Sequence, residues 1–406
     1  MSGVGIDVIS DTTGKAIVDR LDKQNALLQV MASDKLSTFI QSWKDVQRIL
    51  TDNNGAKLFS VNDYFMDKWT DVAASTPYDV PWGVRHFLNA ELKSGEVVPG
   101  MVMQWNYCTP FGVQFSHQRA FLKCPEGLPA GTHHFTIESK WGNNVNAGDV
   151  VCFTSSVEVP VNGRVAGCYG APDQPKSTWR IYLYDAEGKN ILETLTPVFV
   201  ASEDSNDLGV MKYASRNGNL NSCQEMAYGW NRWKTSALRQ FLNSDKGVNQ
   251  WWTAQDEWDI APDQLTTKAG FLSGLSEELR SVLKPVKVVT YTNTVQDGGE
   301  ADITYDKIFL PSLQEMHINP QISGEGVTWD YWLRASEQPT PLAQYGTYPQ
   351  MITYAIKNKT SPQGVSTRSA LRGYANYRWY VDSSGNVYYS YAGYANRFSP
   401  ACVITA

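Results

Sequence analysis

The sequence predicts an α+β chain in which helices lead, an antiparallel β-sandwich follows and a second mixed domain closes the C-terminal half. Three observations carry this. Apolar residues recur at helical spacing before residue 55, short alternating apolar runs broken by turn residues extend from Phe59 to Val200, and capped helical stretches return after the polar break Ser202 to Leu208. A chain of 406 residues can bury two or three cores. The expected division is 1–55 for attachment or oligomerisation, 56–200 for the sandwich and 201–406 for the last domain.

In the first segment Ile17, Leu21, Leu28 and Met31 form one stripe. Leu36, Ile40, Trp43, Val46, Ile49 and Leu50 form a second, stronger one, and Asn53-Asn54-Gly55 stops the helix. In the sandwich, Val97 to Trp105, His133 to Glu138, Val150 to Phe153 and Trp179 to Tyr184 read as strands. Ser94-Gly95, Asn162-Gly163 and Ala186-Glu187-Gly188 read as turns. Adjacent strand residues point to opposite faces, so His133 and His134 read as ordinary sheet histidines and not as one metal site.

In the last segment Thr235-Ser236 caps a helix that buries Leu238, Phe241 and Leu242, and a second helix runs from Ser276 to Leu283 before Pro285. Val286 to Thr292 is a strand candidate and Asp297-Gly298-Gly299 a turn. Ser312-Leu313-Gln314-Glu315 has the spacing of a capping box, and the aromatic run Trp329 to Arg334 follows it.

Composition excludes several functions. With 35 Lys and Arg against 41 Asp and Glu the net charge is −6, which disfavours nucleic acid as a partner. Residues 1–14 have neither the basic nor the apolar region of a secretory signal, and no apolar run approaches a membrane span. The six cysteines (Cys108, Cys124, Cys152, Cys168, Cys223, Cys402) form no C-x-x-C and fit buried thiols of a protein made in a cytosol. No nucleophile elbow, H-E-x-x-H, P-loop or G-x-G-x-x-G is present, so the chain reads as a non-enzyme.

The distinctive stretch runs from Arg372 to Ile404. Its seven tyrosines (Tyr374, Tyr377, Tyr380, Tyr388, Tyr389, Tyr391, Tyr394) are interleaved with Asn376, Arg378, Ser390, Asn396 and Arg397. Tyr offers a large, rigid, amphipathic face at low entropy cost, and Asn and Ser adapt their hydrogen bonds, a mixture that antibody loops also use. Between these positions lie residues that need no adenine in their codons, among them Trp379, Val381, Gly385, Val387 and Pro400. The interleaved residues are all reachable by changing the adenines of an Asn codon with a third-position pyrimidine. Such codons never give Lys, Glu, Gln or Met, and none of these occurs from Gly373 to Ala406, although they make up about one residue in six of the chain. The plainer alternative is a Tyr-rich, half-exposed hairpin.

The pattern G-x-A-N-x-x-W-x-V-x-S-x-G-N-V followed by A-x-x-x-x-P-A, carried by Gly373 to Val387 and by Ala395 to Ala401, resembles the variable region of target proteins of diversity-generating retroelements. In that family, which includes the phage major tropism determinant, an error-prone reverse transcriptase rewrites adenine positions. The closing Arg397-Phe398-Ser399-Pro400-Ala401 departs from the Gly-Val-Arg-Pro-Ala of many relatives. Phe59 to Thr136 also resembles the middle region of gut-phage structural proteins. The resemblance implies a C-type-lectin fold of the formylglycine-generating-enzyme type for 201–406 and a homotrimer. Trp332 and Leu333 would be core strand residues beneath the face, supported by Trp379, Val381, Gly385, Val387 and Pro400.

The function it implies is a phage receptor-binding protein on the virion, at a tail tip or fibre, made in the host cytoplasm. It would bind a host-surface protein or glycan through Tyr374, Asn376, Tyr377, Arg378, Tyr380, Tyr388, Tyr389, Ser390, Tyr391, Tyr394, Asn396 and Arg397, and dock on other phage structural proteins without entering a membrane. A capsid decoration or head-fibre adhesin is the nearest alternative. A copper oxidase of the formylglycine-generating type lacks its second thiol, because Cys402 stands alone in that region. No cofactor is expected. A structural calcium ion stays open, although Asp382-Ser383-Ser384-Gly385-Asn386 reads as a hairpin turn and lacks the ligand count of a calcium loop.

Overall fold

Antiparallel strands dominate and short helices connect them, an α+β arrangement. The structure is a computed structural model that describes residues 16, 19–24, 42–52, 54–138, 145–167, 175–201, 207–211 and 225–406. Residues 19–24 are helical; Ile17, Leu28, Met31, Leu36 and Ile40 lie outside the described residues. The second predicted stripe forms the helix Trp43–Thr51, opened by Ser42, whose hydroxyl accepts from the Asp45 amide at 3.1 Å. It buries Trp43, Val46, Ile49 and Leu50 against the main core. Gly55 does not merely end this helix but begins a further turn, Gly55–Leu58.

Strands β1 (Tyr64–Asp71), β2 (Thr76–Glu91) and β3 (Val97–Trp105) form a meander. Eight shorter strands follow: β4 (Phe121–Cys124), β5 (Gly131–Ile137), β6 (Val150–Ser155), β7 (Gly163–Gly167), β8 (Ile181–Tyr184), β9 (Asn190–Leu195), β10 (Val198–Val200) and β11 (Val210–Met211). They make two four-stranded sheets, β4-β7-β8-β9 and β10-β6-β5-β11, in which β11 alone runs parallel to its neighbour. Phe135, Val151, Phe153, Val165, Ile181 and Leu183 fill the core they share. His133 and His134 sit on β5, where the His133 ring lies 2.8 Å from the Asp207 carboxylate.

The C-terminal part contributes β12 (Val286–Tyr291), β13 (Ala301–Asp306), β14 (Thr353–Tyr354), β15 (Pro362–Gln363), β16 (Val365–Ala370), β17 (Tyr377–Val381), β18 (Val387–Tyr391) and β19 (Ala401–Thr405). The predicted caps form at three places. Ser236 and Ser276 accept from Arg239 and Leu279 amides, each at 3.1 Å, and Ser312 and Glu315 bond each other's backbone reciprocally at 3.1 and 2.9 Å.

One long-range pairing changes the expected division. The last strand, β19, pairs antiparallel with β3, from Ala401 opposite Gln104 to Thr405 opposite Gly100, giving the sheet order β1-β2-β3-β19. All five residues of β19 are buried, and an apolar strand of this kind needs a partner for its backbone and cover for both faces. Residues 43–115 and 233–406 therefore share one core, and the sandwich is a separate unit inserted between them, with a core drawn from 120–228. The boundaries expected at 56 and 200 fall inside or beside these units because alternation along a strand says nothing about which distant strand it pairs with. Among the described residues no helix is long and apolar enough to cross a membrane.

Candidate functional site

The tyrosine-rich stretch folds as a three-stranded sheet, β16-β17-β18. In β17 and β18 directly opposed residues share a face, so Tyr377, Trp379 and Val381 stand with Tyr391, Tyr389 and Val387, while Arg378 and Tyr380 stand with Ser390 and Tyr388. The turn between them is held by Asp382, whose carboxylate accepts from the Ser384 amide at 2.7 Å and the Asn386 amide at 2.9 Å. Gly385 sits there at φ 81°, a conformation that favours glycine. Trp379, Val381 and Val387 are buried in the main core, and Pro400 is buried with its carbonyl accepting from the Trp105 amide at 3.0 Å.

Two residues expected on the open face are fully buried. Asn376 precedes β17, its carbonyl accepts from Ala392, and its side-chain amide finds no partner among the described residues. Arg378 lies on the side of β17 that segment 113–116 covers, above the Phe115 ring at 5.1 Å. It donates to the Ser366 hydroxyl at 2.8 Å and to the carbonyls of Tyr391 at 2.5 Å and Tyr394 at 3.4 Å. Burial pulls its pKa down to about 9, which leaves it cationic at neutral pH. Both are therefore frame residues. Cover is local and not a matter of strand alternation: Phe115 lies over Arg378, while Tyr388 on the same face of the hairpin stays exposed, and Asn376 is enclosed before the strand begins.

The aromatic run at 329–334 also differs from expectation. It forms the helix Asp330–Ser336 and not a strand; Trp332 is buried on it and Leu333 is 39 % exposed, so Leu333 is no core residue. A helix turns successive side chains by about 100°, which separates neighbours that a strand reading would also split but to other partners.

Six of the seven tyrosines come together as one belt. Tyr374 packs edge-on to Tyr377 at 5.3 Å, Tyr377 meets Tyr389 and Tyr391 each at 4.6 Å, and Tyr389 stacks on Tyr388 at 4.3 Å. Tyr391 continues the belt to Tyr394 at 5.1 Å. Tyr374, Tyr388 and Tyr394 are exposed, while Tyr377, Tyr389 and Tyr391 are half-buried. The hydrogen bond from Tyr388 pushes the Tyr389 hydroxyl up to about 12, and burial raises that of Tyr377, so both stay protonated donors. Asn396 donates to Ser390 at 2.7 Å beside the belt. Tyr380 and Arg397 do not join it: Tyr380 lies against Gly364 on the Arg378 side, and Arg397 is half-buried beside Cys108.

The sequence reading missed several residues of this site. Tyr345 extends the belt, 5.7 Å from Tyr388, and Tyr228 stacks on Tyr391 at 4.0 Å. Buried Asn231 clamps the turn before β17, donating to the carbonyls of Tyr374 at 2.7 Å and Tyr377 at 2.6 Å, and Asn293 in turn donates to Asn231 at 3.0 Å. Each is a lone polar or aromatic residue far from the tyrosine run, with no local pattern to mark it.

At the Tyr391–Tyr394 end the belt opens into a cavity of about 750 Å3 between the turn 391–396 and the sandwich. Gln114 and Arg119 from the linking segment, Tyr182 and Tyr184 from β8, and Asp263 line it together with that turn. Gln114 fixes the arrangement by donating to the Gly393 carbonyl at 3.0 Å and accepting from the Asp263 amide at 2.7 Å. Burial, and the charge of Arg119, hold His117 well below its ordinary pKa and therefore neutral; burial also raises the Asp263 carboxyl and pushes the Tyr184 hydroxyl up to about 12. The described residues contain no cluster of His, Cys, Asp or Glu suited to a metal ion.

Residues 199–406, just over half of the chain, match the family model of a domain of unknown function, DUF6273, and the chain belongs to that family. The match begins close to the polar break at Ser202, although the folded core it belongs to also includes 43–115. No curated protein and no solved structure matches the chain.

Proposed function

We propose that this member of the DUF6273 family is a non-enzymatic recognition protein of a phage particle, a receptor-binding adhesin at a tail tip or fibre whose tyrosine face is rewritten by a diversity-generating retroelement. The observation that carries the reading is the belt: ring against ring, part open to water, mounted on a hairpin whose Trp379, Val381 and Val387 are locked in the core. Its exchangeable members are Tyr374, Tyr377, Tyr388, Tyr389, Tyr391 and Tyr394 with Ser390 and Asn396. Such a face tolerates replacement because its partners in the frame, Trp379, Val381 and Val387, do not change with it. A small β-frame carrying exchangeable side chains also suits a C-type-lectin-like domain.

Each ring that meets a partner contributes about 0.5 to 1.5 kcal/mol beyond burial of its area. A homotrimer repeated on a virion converts such weak single contacts into firm attachment through effective concentration. The DNA around the gene tests the reading. A near-copy of the codons for Arg372 to Ile404 is expected beside a reverse transcriptase gene, with mismatches confined to adenines; mismatches spread over all four bases would overturn it.

A further inference from the structure

The cavity at the end of the belt has a chemistry of its own. Its volume of about 750 Å3 lies in the range that encloses small ligands. Two pairs of rings contribute to its walls: Tyr182 and Tyr184, near-parallel at 6.5 Å, and Tyr228 and Tyr391, near-parallel at 4.0 Å. Ring faces carry partial negative charge and attract the C–H groups of a flat ligand. The amides of Asn190 and Asn396 and two opposite charges, Arg119 and Asp263, also line the cavity.

We infer that this cavity is a fixed half of the recognition site and that it takes the uncharged end of an oligosaccharide. The inference rests on the recognition reading for its use, while the cavity supplies the chemistry. An anionic ligand would gain Arg119 but face Asp263, and the two cancel because His117 adds no charge. A wholly apolar ligand would strip water from Arg119, Asp263 and the amides without replacing their hydrogen bonds, which is unfavourable. A neutral sugar has C–H faces for the rings and hydroxyls that donate and accept in turn. Tyr182, Asn190, Arg119 and Asp263 lie outside 372–404, whereas Tyr391, Tyr394 and Asn396 lie inside it. The pocket thus holds a constant terminal group while the belt reads what surrounds it. This also gives the inserted sandwich a role, since β8 and β9 supply one wall.

The test uses the full chain on an array of neutral and anionic oligosaccharides, followed by calorimetric titration of the strongest binder against the wild type, Tyr182→Ala, Tyr182→Phe, Asn190→Ala and Tyr388→Ala. Neutral saccharides are expected to bind, about tenfold more weakly in Tyr182→Ala, with recovery in Tyr182→Phe. Asn190 is exposed, so Asn190→Ala reports on the wall without threatening the fold, and a weakened titration is expected there too. Failure of every saccharide to bind, or preference for anionic ones, overturns the inference. Binding that falls in Tyr388→Ala but is unmoved by Tyr182→Ala and Asn190→Ala overturns the cavity and leaves the face standing. The opposite pattern keeps the cavity and removes the face.

Discussion

Arg378 shows how a single residue separates frame from face. Its guanidinium is fully buried with hydroxyl and carbonyl partners, so truncation strands several polar groups at once. Arg378→Ala is expected to lower the unfolding free energy by on the order of 3 kcal/mol. Tyr388→Ala, at an exposed ring, should change it by less than about 1 kcal/mol. Denaturant titration of both variants checks this, and equal effects would mean that the face is not separable from its support. The thiols make a second residue-scale case. Burial pushes Cys108 up to about 11 against the pull of Arg397, and raises Cys402 as well. Peptide mapping after alkylation should find both thiols protected in the native protein and modified rapidly once it is unfolded.

At the scale of elements, the hairpin β17–β18 depends on its turn and on the strand-like segment beside it. The Tyr348 amide donates to the Gly385 carbonyl at 2.9 Å, and a Cβ on Gly385 would stand 2.3 Å from the Tyr348 carbonyl oxygen. Gly385→Ala therefore combines a left-handed backbone with a backbone clash, and is expected to cost about 1 to 3 kcal/mol. A drop in melting temperature together with weaker ligand binding would place both effects in this turn. Unchanged stability would show that the segment at 345–348 moves aside freely. A close approach of the same kind sets the cavity rim, where Gly112 lies against the turn at Ala395 and leaves no room for a side chain.

The whole molecule is organised by the return of β19 to β3. A fragment of 201–406 keeps β19 but loses the β1–β3 meander and the helix Trp43–Thr51, and with them much of its core. We predict that this fragment shows no cooperative unfolding transition, whereas the full chain does; a well-folded fragment would refute the shared core. The junction between sandwich and body also titrates. Burial pushes the Asp259 carboxyl up to about 6 even though Gln118 and the amides of Gln255 and Asp256 bond it. A raised folded pKa means that its contribution is fully present in acid, below the ordinary carboxylate value, and is lost as the pH rises through about 6. Relative to Asp259→Asn, the wild type should gain stability as the pH falls from 6 to about 4. No change in that difference would mean that the carboxyl is more hydrated than its surroundings imply.

Local physics made much of this legible in the chain. The serine caps and the amphipathic helix at 43–51 follow from propensity and periodicity, which act between near neighbours. The tyrosine run was legible as a distinctive stretch, because seven tyrosines within 372–404 exceed what the rest of the chain shows. Tertiary structure alone decided that Asn376 and Arg378 turn inward, that Leu333 faces out from a helix, that Asn231 clamps the hairpin and that β19 closes a sheet begun at β1. Alternation assigns residues to two faces of a strand, but which face is covered depends on segments hundreds of positions away, and that information resides in packing.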